Sequence, residues 1–182
     1  MKCFYHYPMI FQKHAIPKDW IDATSVGLGY LYFDTGINYM QLGSKGLATV
    51  DSFCKSKSPN SHVVEIFNQK QQSFLAQKAA EVATSTWKTR DWWIGLQKSG
   101  KSWIWHSSSK TASYTDWSGG EPKSSSHEYA FLETSYKFSW RSATDTFGGI
   151  WPLCQVNPNA IKVSCFTYLQ ITMYLSFYFA WF

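Results

Sequence analysis

Two carboxylates in one short segment have the chemistry of a metal site. In the segment DWSGGEPKSSSHEYAFLE, Glu121 and Glu128 lie on either side of a serine-rich loop. Calcium takes six to eight oxygen ligands, and carboxylates on loops are common among them. However, Lys123 follows the first acid by two residues, and His127 directly precedes the second. The segment therefore predicts either a metal site or a site in which charged side chains have replaced the metal.

Two amphipathic helices precede this segment. In KGLATVDSFCKSK, apolar side chains at Leu47, Val50, Phe53 and Cys54 recur at helical spacing, which turns Cys54 inward. In NQKQQSFLAQKAAEVA, Asn68 is a suitable N-cap for a second helix. The spacing predicts that the apolar face of this helix consists of Phe74, Leu75, Ala79 and Val82.

Short strands account for much of the remaining chain. Segments rich in aromatic and β-branched residues predict them, namely YLYF, HVVEIF, DWWIGLQ, KSWIWHS, EYAFLETS, YKFSWRS and GIWPLCQV. A long loop runs from about residue 107 to residue 128, and loops of that length in compact domains are usually functional or disordered. The pattern predicts an α+β fold with two helices packed on short antiparallel strands and a long loop region.

The chain of 182 residues is long enough for one domain with a substantial core. Residues 1–25 predict a poorly ordered N-terminal lead, residues 26–156 the domain, and residues 157–182 a linker and a hydrophobic C-terminal tail. Within the tail, Val163–Phe182 carries no charge over twenty residues. Three interpretations of this segment stay open, namely a membrane span, a cleaved lipid-anchor signal and an extension read through from adjacent DNA.

Composition and motifs exclude several classes of function. The net charge of +5 comes from scattered lysines rather than from a basic stripe that nucleic acid would require. The sequence contains no Gly-x-Ser-x-Gly, His-Glu-x-x-His or phosphate-loop motif, and its five histidines are dispersed, with His106 at the end of a predicted strand. The sequence therefore predicts neither an enzyme nor a nucleic-acid-binding protein.

Four cysteines leave the redox state open at this point. No two of them form a Cys-x-x-Cys pair, which argues against a zinc site. Cys54 and Cys154 lie within the domain as free core thiols or as a disulfide in an oxidising compartment, while Cys3 and Cys165 lie in the flanks. No signal peptide is visible at the start of the chain, so either the true N-terminus lies upstream or the usual secretory route is not used.

An ordered set of residues between two cysteines resembles the C-type lectin-like domain. The resemblance covers residues 26–156, and its strength comes from the order of the motifs rather than from any one of them. The set comprises Cys54, Trp93-Ile94-Gly95-Leu96, Trp103, Trp105, Trp117, Gly120-Glu121-Pro122, Ala130, Trp140 and Cys154-Gln155. We expect the strand tryptophans in the core, where they argue for the fold rather than for an activity.

The resemblance implies a disulfide and a location. In the family the outer two cysteines are bonded, which here joins Cys54 to Cys154, and the protein is expected to be extracellular or at the cell surface. The family's inner disulfide is missing, because Tyr129 stands at one cysteine position and the segment after Trp140 contains no partner for it before Cys154. Since that bond clamps the long loop, its absence predicts a looser loop.

The resemblance also implies a calcium site, and most of its ligands are missing. Family members that bind sugar hold calcium through Glu-Pro-Asn, a later carboxylate and Trp-Asn-Asp. Here Glu121 remains, but Lys123 replaces the asparagine, and the later carboxylate falls at His127 or Glu128. The last triplet is Trp140-Arg141-Ser142. Because Lys and Arg have no lone pair to offer a metal, we expect no metal and no cofactor.

We therefore expect a non-enzymatic recognition module that binds a glycan or a protein ligand without calcium. Its ligand site is placed at Glu121, Lys123, Glu128 and Arg141, where either an ion pair has replaced the metal or the charges are merely solvated. The alternative is a calcium-dependent carbohydrate-binding lectin with a divergent site. A third hypothesis, a decayed gene product, follows from the missing leader and the unusual tail.

Overall fold

The computed structural model describes residues 19–36, 39–86, 90–123 and 126–157. Within these ranges two helices pack on a mixed sheet of eight strands, which confirms the α+β prediction. The elements are, in chain order, β1 (Ile21–Ala23), β2 (Gly29–Phe33), α1 (Ala48–Lys57), β3 (Ser61–Val63), α2 (Gln69–Thr86), β4 (Asp91–Ser99), β5 (Ser102–Trp105), β6 (Tyr129–Leu132), β7 (Trp140–Ala143) and β8 (Ile150–Val156).

Strand β8 organises the sheet, in which six strands follow the order β1-β2-β8-β4-β6-β7, while β3 pairs with β8 and β5 pairs with β4 beside this path. The first residues of β8 pair with β4, and its later residues pair with both β2 and β3. The β4–β8 pair is parallel, whereas the sequence predicted only antiparallel strands. Strand β7 lies at the end of this order, so its outer backbone groups need other partners.

The first helix forms as its apolar spacing predicted, and it is tied to β8 by a disulfide. Val50 and Cys54 are fully buried. The helix ends at Lys57 because Ser58 precedes a proline, which disfavours helical backbone, and Ser58 is extended. The Cys54–Cys154 bond joins Cα atoms 5.4 Å apart, which confirms the expected disulfide.

The second helix begins as predicted at Asn68, whose side-chain oxygen accepts a hydrogen bond from the Gln71 amide at 3.0 Å. This bond satisfies one of the unpaired donors of the first helical turn. On the buried side of the helix, Gln72 accepts a bond from Trp140 Nε1 and donates one to Phe138 O, both at 2.9 Å. These two bonds connect α2 to strand β7 and the turn before it.

Tryptophans fill the core, as the strand patterns predicted. The side chains of Trp92, Trp93, Trp105 and Trp140 are almost completely buried. Trp93 packs with α1 and the disulfide, while the other three share a second cluster with α2. Aromatic side chains bury large areas, so this set supplies much of the apolar burial that stabilises the domain.

Strand β3 covers only the start of the predicted segment HVVEIF, and its last contact with β8 is the bond from Val64 N to Leu153 O at 3.0 Å. Val64 O then accepts a bond from the Gly95 amide at 2.7 Å. A Cβ atom at position 95 would lie 3.0 Å from Val64 O. Glycine in the Trp-Ile-Gly motif therefore permits a close backbone approach.

Part of the predicted N-terminal lead is structured. Trp20 is buried, and β1 pairs with β2 through residues 21–23. The division into lead, domain and tail otherwise stays a prediction, because residues 1–18 and 158–182 lie outside the described residues. Those masked ends include Cys3, Cys165 and the segment Val163–Phe182. Among the described residues, no helix has the length and apolar character needed to cross a membrane.

Candidate functional site

The long loop covers the outer edge of strand β7. Trp140 N donates to Asp116 O at 2.7 Å, and Trp140 O accepts from Ser118 N at 2.9 Å. Further along the strand, Ser142 N donates to the carboxylate of Glu121 at 3.1 Å. The loop therefore satisfies backbone groups that an edge strand would otherwise expose.

Aromatic packing anchors the same loop. The rings of Tyr114 and Trp117 each lie 5.7 Å from Trp140 in edge-to-face geometry. Trp117 also packs against Trp103 at 4.8 Å. Tyr129, at the position of a missing inner cysteine, lies with its hydroxyl against Gly46. The looser loop that the missing disulfide implies stays a prediction.

Glu121 is the centre of the predicted site, and both of its carboxylate oxygens have partners. Its side chain is 2% exposed. Oε2 accepts hydrogen bonds from Lys123 N at 3.1 Å, Ser142 N at 3.1 Å and Ser142 Oγ at 2.5 Å. Oε1 lies 3.3 Å from Arg141 Nε and 3.9 Å from Lys123 Nζ. The protein itself thus occupies the positions from which this carboxylate would bind a metal.

These contacts keep Glu121 ionised. Burial is the largest influence and acts to raise its pKa, because a buried carboxylate prefers to be neutral. The hydrogen bonds from the hydroxyl and amide of Ser142 and from the amide of Lys123 oppose it, and the charge of Lys123 adds to them. Together they hold the pKa of Glu121 below its ordinary value of 4.5.

Arg141 connects Glu121 to a second buried acid. Its Nη1 donates to Glu133 Oε1 at 2.6 Å, while its Nε faces Glu121. The hydrogen bond with Glu133 is the main reason that the pKa of Arg141 is raised. Of the two sequence hypotheses for Glu121, Lys123 and Arg141, the structure therefore contains the ion pair rather than separate solvated charges. The ligand-binding role of these residues stays a prediction.

Glu128, the fourth predicted site residue, does not join this cluster. Its side chain is exposed, and among the described residues its carboxylate has no hydrogen bond or ion pair. The preceding His127 faces the cluster instead, with Nδ1 3.0 Å from both Ser142 O and Ser142 Oγ. Neighbouring residues in extended backbone point in opposite directions, so only one of the two can reach the site.

The residues around Glu121 do not fit a calcium ion. Two cations lie against one carboxylate oxygen, and a hydroxyl hydrogen bond occupies the other. Neither Lys123 nor Arg141 can supply a lone pair. Across the ranges that the structure describes, no group of three His, Cys, Asp or Glu side chains is placed to hold a metal.

Sequence reasoning missed two residues of the cluster. Ser142 was treated only as the loss of an acidic ligand, yet it donates two hydrogen bonds to Glu121. Glu133 gave no local signal, because it reaches Arg141 through the pairing of β6 with β7, in which Phe131 lies opposite Arg141. The sequence analysis predicted both strands but not their register, which is what brings Glu133 to Arg141.

His106 follows β5, as predicted, and has a structural contact. Its Nε2 lies 3.4 Å from Asp51 Oδ2, and Asp51 Oδ1 accepts from Val63 N at 2.8 Å. Asp51 therefore links α1 to β3 and to the start of the long loop. A shallow cleft beside it is lined by Lys55, Asn60, His62 and Ser107 among others.

Comparisons with known proteins agree with the fold. The family model described as "Lectin C-type domain" matches residues 44–151. Human lithostathine has a similar structure, with a TM-score of 0.64 at 19% identity, over 84% of this chain and 98% of the other. CEL-I from Cucumaria echinata has a TM-score of 0.61 at 17% identity, over 78% and 96%.

The carbohydrate-recognition domain of the mouse scavenger receptor C-type lectin has a TM-score of 0.59 at 21% identity, over 78% of this chain and 98% of the other. A comparison with curated proteins gave no match. At these identities the solved structures support the fold alone.

Proposed function

We propose, from the premise that the chain belongs to the family of C-type lectin domains, that it is an extracellular or cell-surface module that recognises a glycan or a protein without calcium. The family match covers more than half of the chain. Members of the family are non-enzymatic binding modules, and this chain is one of them. The calcium-independent part of the proposal rests on one observation, which is that both carboxylate oxygens of Glu121 already have partners in the protein.

Replacing those groups by calcium would be costly. The ion would lie next to Arg141 and Lys123, which are within 4 Å of the carboxylate oxygen that it must share. At ~4 Å and an effective dielectric constant near 20, each unit of like charge opposes binding by about 4 kcal/mol. Ser142 would also have to release two hydrogen bonds to Glu121. These costs support recognition by another chemistry.

Thermal unfolding of the full chain in millimolar calcium and in chelator tests this proposal. We expect the same melting temperature in both. A bound ligand at one hundred times its dissociation constant adds about 2.7 kcal/mol of stability, which would raise the melting temperature by several degrees. Such an increase would overturn the proposal.

The matched variant Lys123→Asn, Arg141→Asn, Ser142→Asp restores the family's ligand types at three positions. We expect it to gain some calcium-dependent stability, although His127 still occupies part of the site. Retention of the unaltered chain on immobilised mannose or galactose that chelator abolishes would support the alternative, a calcium-dependent lectin with a divergent site.

A further inference from the structure

A second cleft adjoins the one beside His106, with which it shares His62 and Ser107, and lies where the chain passes from β3 to α2. Its volume of about 320 Å³ is at the small end of the range for ligand sites. Its other lining residues include Glu65, Phe67, Lys110 and Gln155. We propose that this cleft, the Glu65 cavity, binds a small zwitterion, namely an α-amino acid with an apolar side chain.

Three segments of the chain form the walls of the Glu65 cavity. Glu65 lies two residues after the end of β3. The turn after β5 lies against it, because Ser107 N and Ser108 N both donate to Glu65 Oε1, at 2.8 and 2.9 Å. From β8, Gln155 Oε1 accepts a bond from Glu65 N at 3.1 Å. Glu65 is therefore fixed through its backbone and through one carboxylate oxygen.

The other carboxylate oxygen of Glu65 is left for a ligand. The residue is 3% exposed and lines the cavity itself. While Oε1 accepts the two amide bonds, Oε2 has no hydrogen bond or ion pair among the described residues. A mostly buried carboxylate oxygen without a donor is destabilising, so a ligand that donates to it is favoured.

Lys110 brings a positive charge to the same cavity. Its side chain is exposed, and its ammonium forms no ion pair within the part of the chain that the structure describes. A cation attracted by Glu65 would be repelled by Lys110, and an anion attracted by Lys110 would be repelled by Glu65. A zwitterion avoids this conflict, because its ammonium group can donate to Glu65 while its carboxylate accepts from Lys110.

An aromatic wall and an amide complete the site. Phe67 is 36% exposed, and its ring is fixed by edge-to-face packing on Trp105 at 5.6 Å between centroids. The ring also contacts Lys110, whose Nζ lies 5.5 Å from its centroid. Gln155 uses its oxygen to bind Glu65 N, which leaves its NH₂ group to donate to a carboxylate. Since ligand sites combine aromatic surfaces with a few polar groups, an apolar side chain of the amino acid would pack on Phe67.

Saturation-transfer NMR on the full chain tests the proposal, with L-phenylalanine and L-leucine as the probes. 2-Phenylethylamine and 3-phenylpropionate are matched probes that keep the ring and only one of the two charges, and methyl α-mannoside is a neutral probe. We expect L-phenylalanine to bind at least about tenfold more tightly than either single-charge probe, because each of these loses a hydrogen bond between charged groups.

Two variants place the binding at the Glu65 cavity. Glu65→Gln keeps an oxygen for the amides of Ser107 and Ser108 but removes the charge, and it should weaken binding of L-phenylalanine by at least about tenfold. Lys110→Gln should weaken it severalfold, because the lysine is exposed and its ion pair is screened by water. Lys101→Gln, an exposed lysine at the opposite end of β5, is the matched control and should change nothing.

Absence of transfer to both amino acids overturns the proposal, as does equal affinity in Glu65→Gln, Lys110→Gln and the unaltered chain. Binding of 2-phenylethylamine as tight as that of L-phenylalanine would overturn it in favour of a cationic ligand. Binding of the mannoside that Glu65→Gln abolishes would overturn it in favour of a hydroxyl ligand. If Glu65→Gln fails to fold, Lys110→Gln and the single-charge probes decide the outcome.

Discussion

Two buried glutamates share Arg141, and they differ in what the protein leaves for a ligand. Glu121 has partners on both carboxylate oxygens, from Lys123, Arg141 and Ser142. Glu133 has a partner on one oxygen and none on the other among the described residues. At the position where the family resemblance placed the ligand site, the protein's own groups thus bind both oxygens of the carboxylate. At neighbouring Glu133, which the sequence did not assign to a site, those within the described part of the chain bind only one.

The largest expected effect concerns the scaffold that both glutamates share. The Cys54–Cys154 bond ties α1 to β8 across a sequence separation of 100 residues. In the chain-entropy model, closing a loop of that length contributes about 4–5 kcal/mol. We expect reduction to lower the free energy of unfolding by about that amount, as measured by urea unfolding with and without reductant. An unchanged midpoint in reductant would show that the bond does not carry this stability.

The next effect separates the two glutamates directly. Glu121→Gln places an amide NH₂ group against donors and should cost about 2 kcal/mol in the free energy of unfolding. Glu133→Gln loses the charge of its bond with Arg141 but keeps an oxygen for it and turns its NH₂ group toward the side without a partner, so it should cost less than Glu121→Gln. Urea unfolding of both variants measures this difference, with Glu128→Gln as an exposed control.

Equal losses in the two variants would contradict the contrast. In that event Glu133 would be as fully satisfied as Glu121, and the second oxygen of Glu133 would have a partner in solution. A loss in Glu128→Gln would show that the exposed control is not neutral and would remove the basis of the comparison.

The sequence could predict one glutamate of this pair and not the other, for a physical reason. Helices and strands follow local periodicity, so the sequence could predict the position of α1, the N-cap at Asn68 and the tryptophan core. Glu121 and Arg141 became candidates through the resemblance. Glu133 depends on the register of β6 with β7, two consecutive strands whose residue-by-residue alignment the strand patterns alone do not specify. The same limit explains Glu128, since backbone direction at the strand entry decides whether it or His127 faces Ser142.

The dependence of stability on pH should have opposite signs at Glu121 and at Asp91. The pKa of Glu121 is lowered from 4.5, so the folded state favours its ionised form. Its contribution is therefore present above pH 4.5 and is lost as the pH falls through the folded-state value. We expect the stability difference between the unaltered chain and Glu121→Gln to shrink in acid below pH 4.5. A difference that stays constant would contradict this.

At Asp91 the sign of the pH dependence is reversed. The pKa of Asp91 is raised from 3.8, chiefly by burial, so the folded state favours the neutral form. Its ionisation costs stability as the pH rises from 3.8 through the folded-state value. We expect Asp91→Asn, which resembles the protonated acid, to gain relative to the unaltered chain over that rise. Urea unfolding at a series of pH values compares both variants, and parallel curves for Asp91→Asn would reject the prediction.

The smallest expected effect concerns Lys123. Its Nζ lies 3.9 Å from Glu121 Oε1, and its side chain is 52% exposed. Exposed ion pairs of this kind contribute between about 0 and 1 kcal/mol, so Lys123→Gln should change the free energy of unfolding by less than about 0.5 kcal/mol. Its backbone amide still donates to Glu121 Oε2 and Ser142 Oγ in the variant.

Arg141→Gln is the matched comparison and should cost more, because Arg141 binds both glutamates. A loss in Lys123→Gln as large as that in Arg141→Gln would place the Lys123 ammonium among the groups that hold the loop. A small loss limits the role of that ammonium to adding positive charge at the position where calcium would bind.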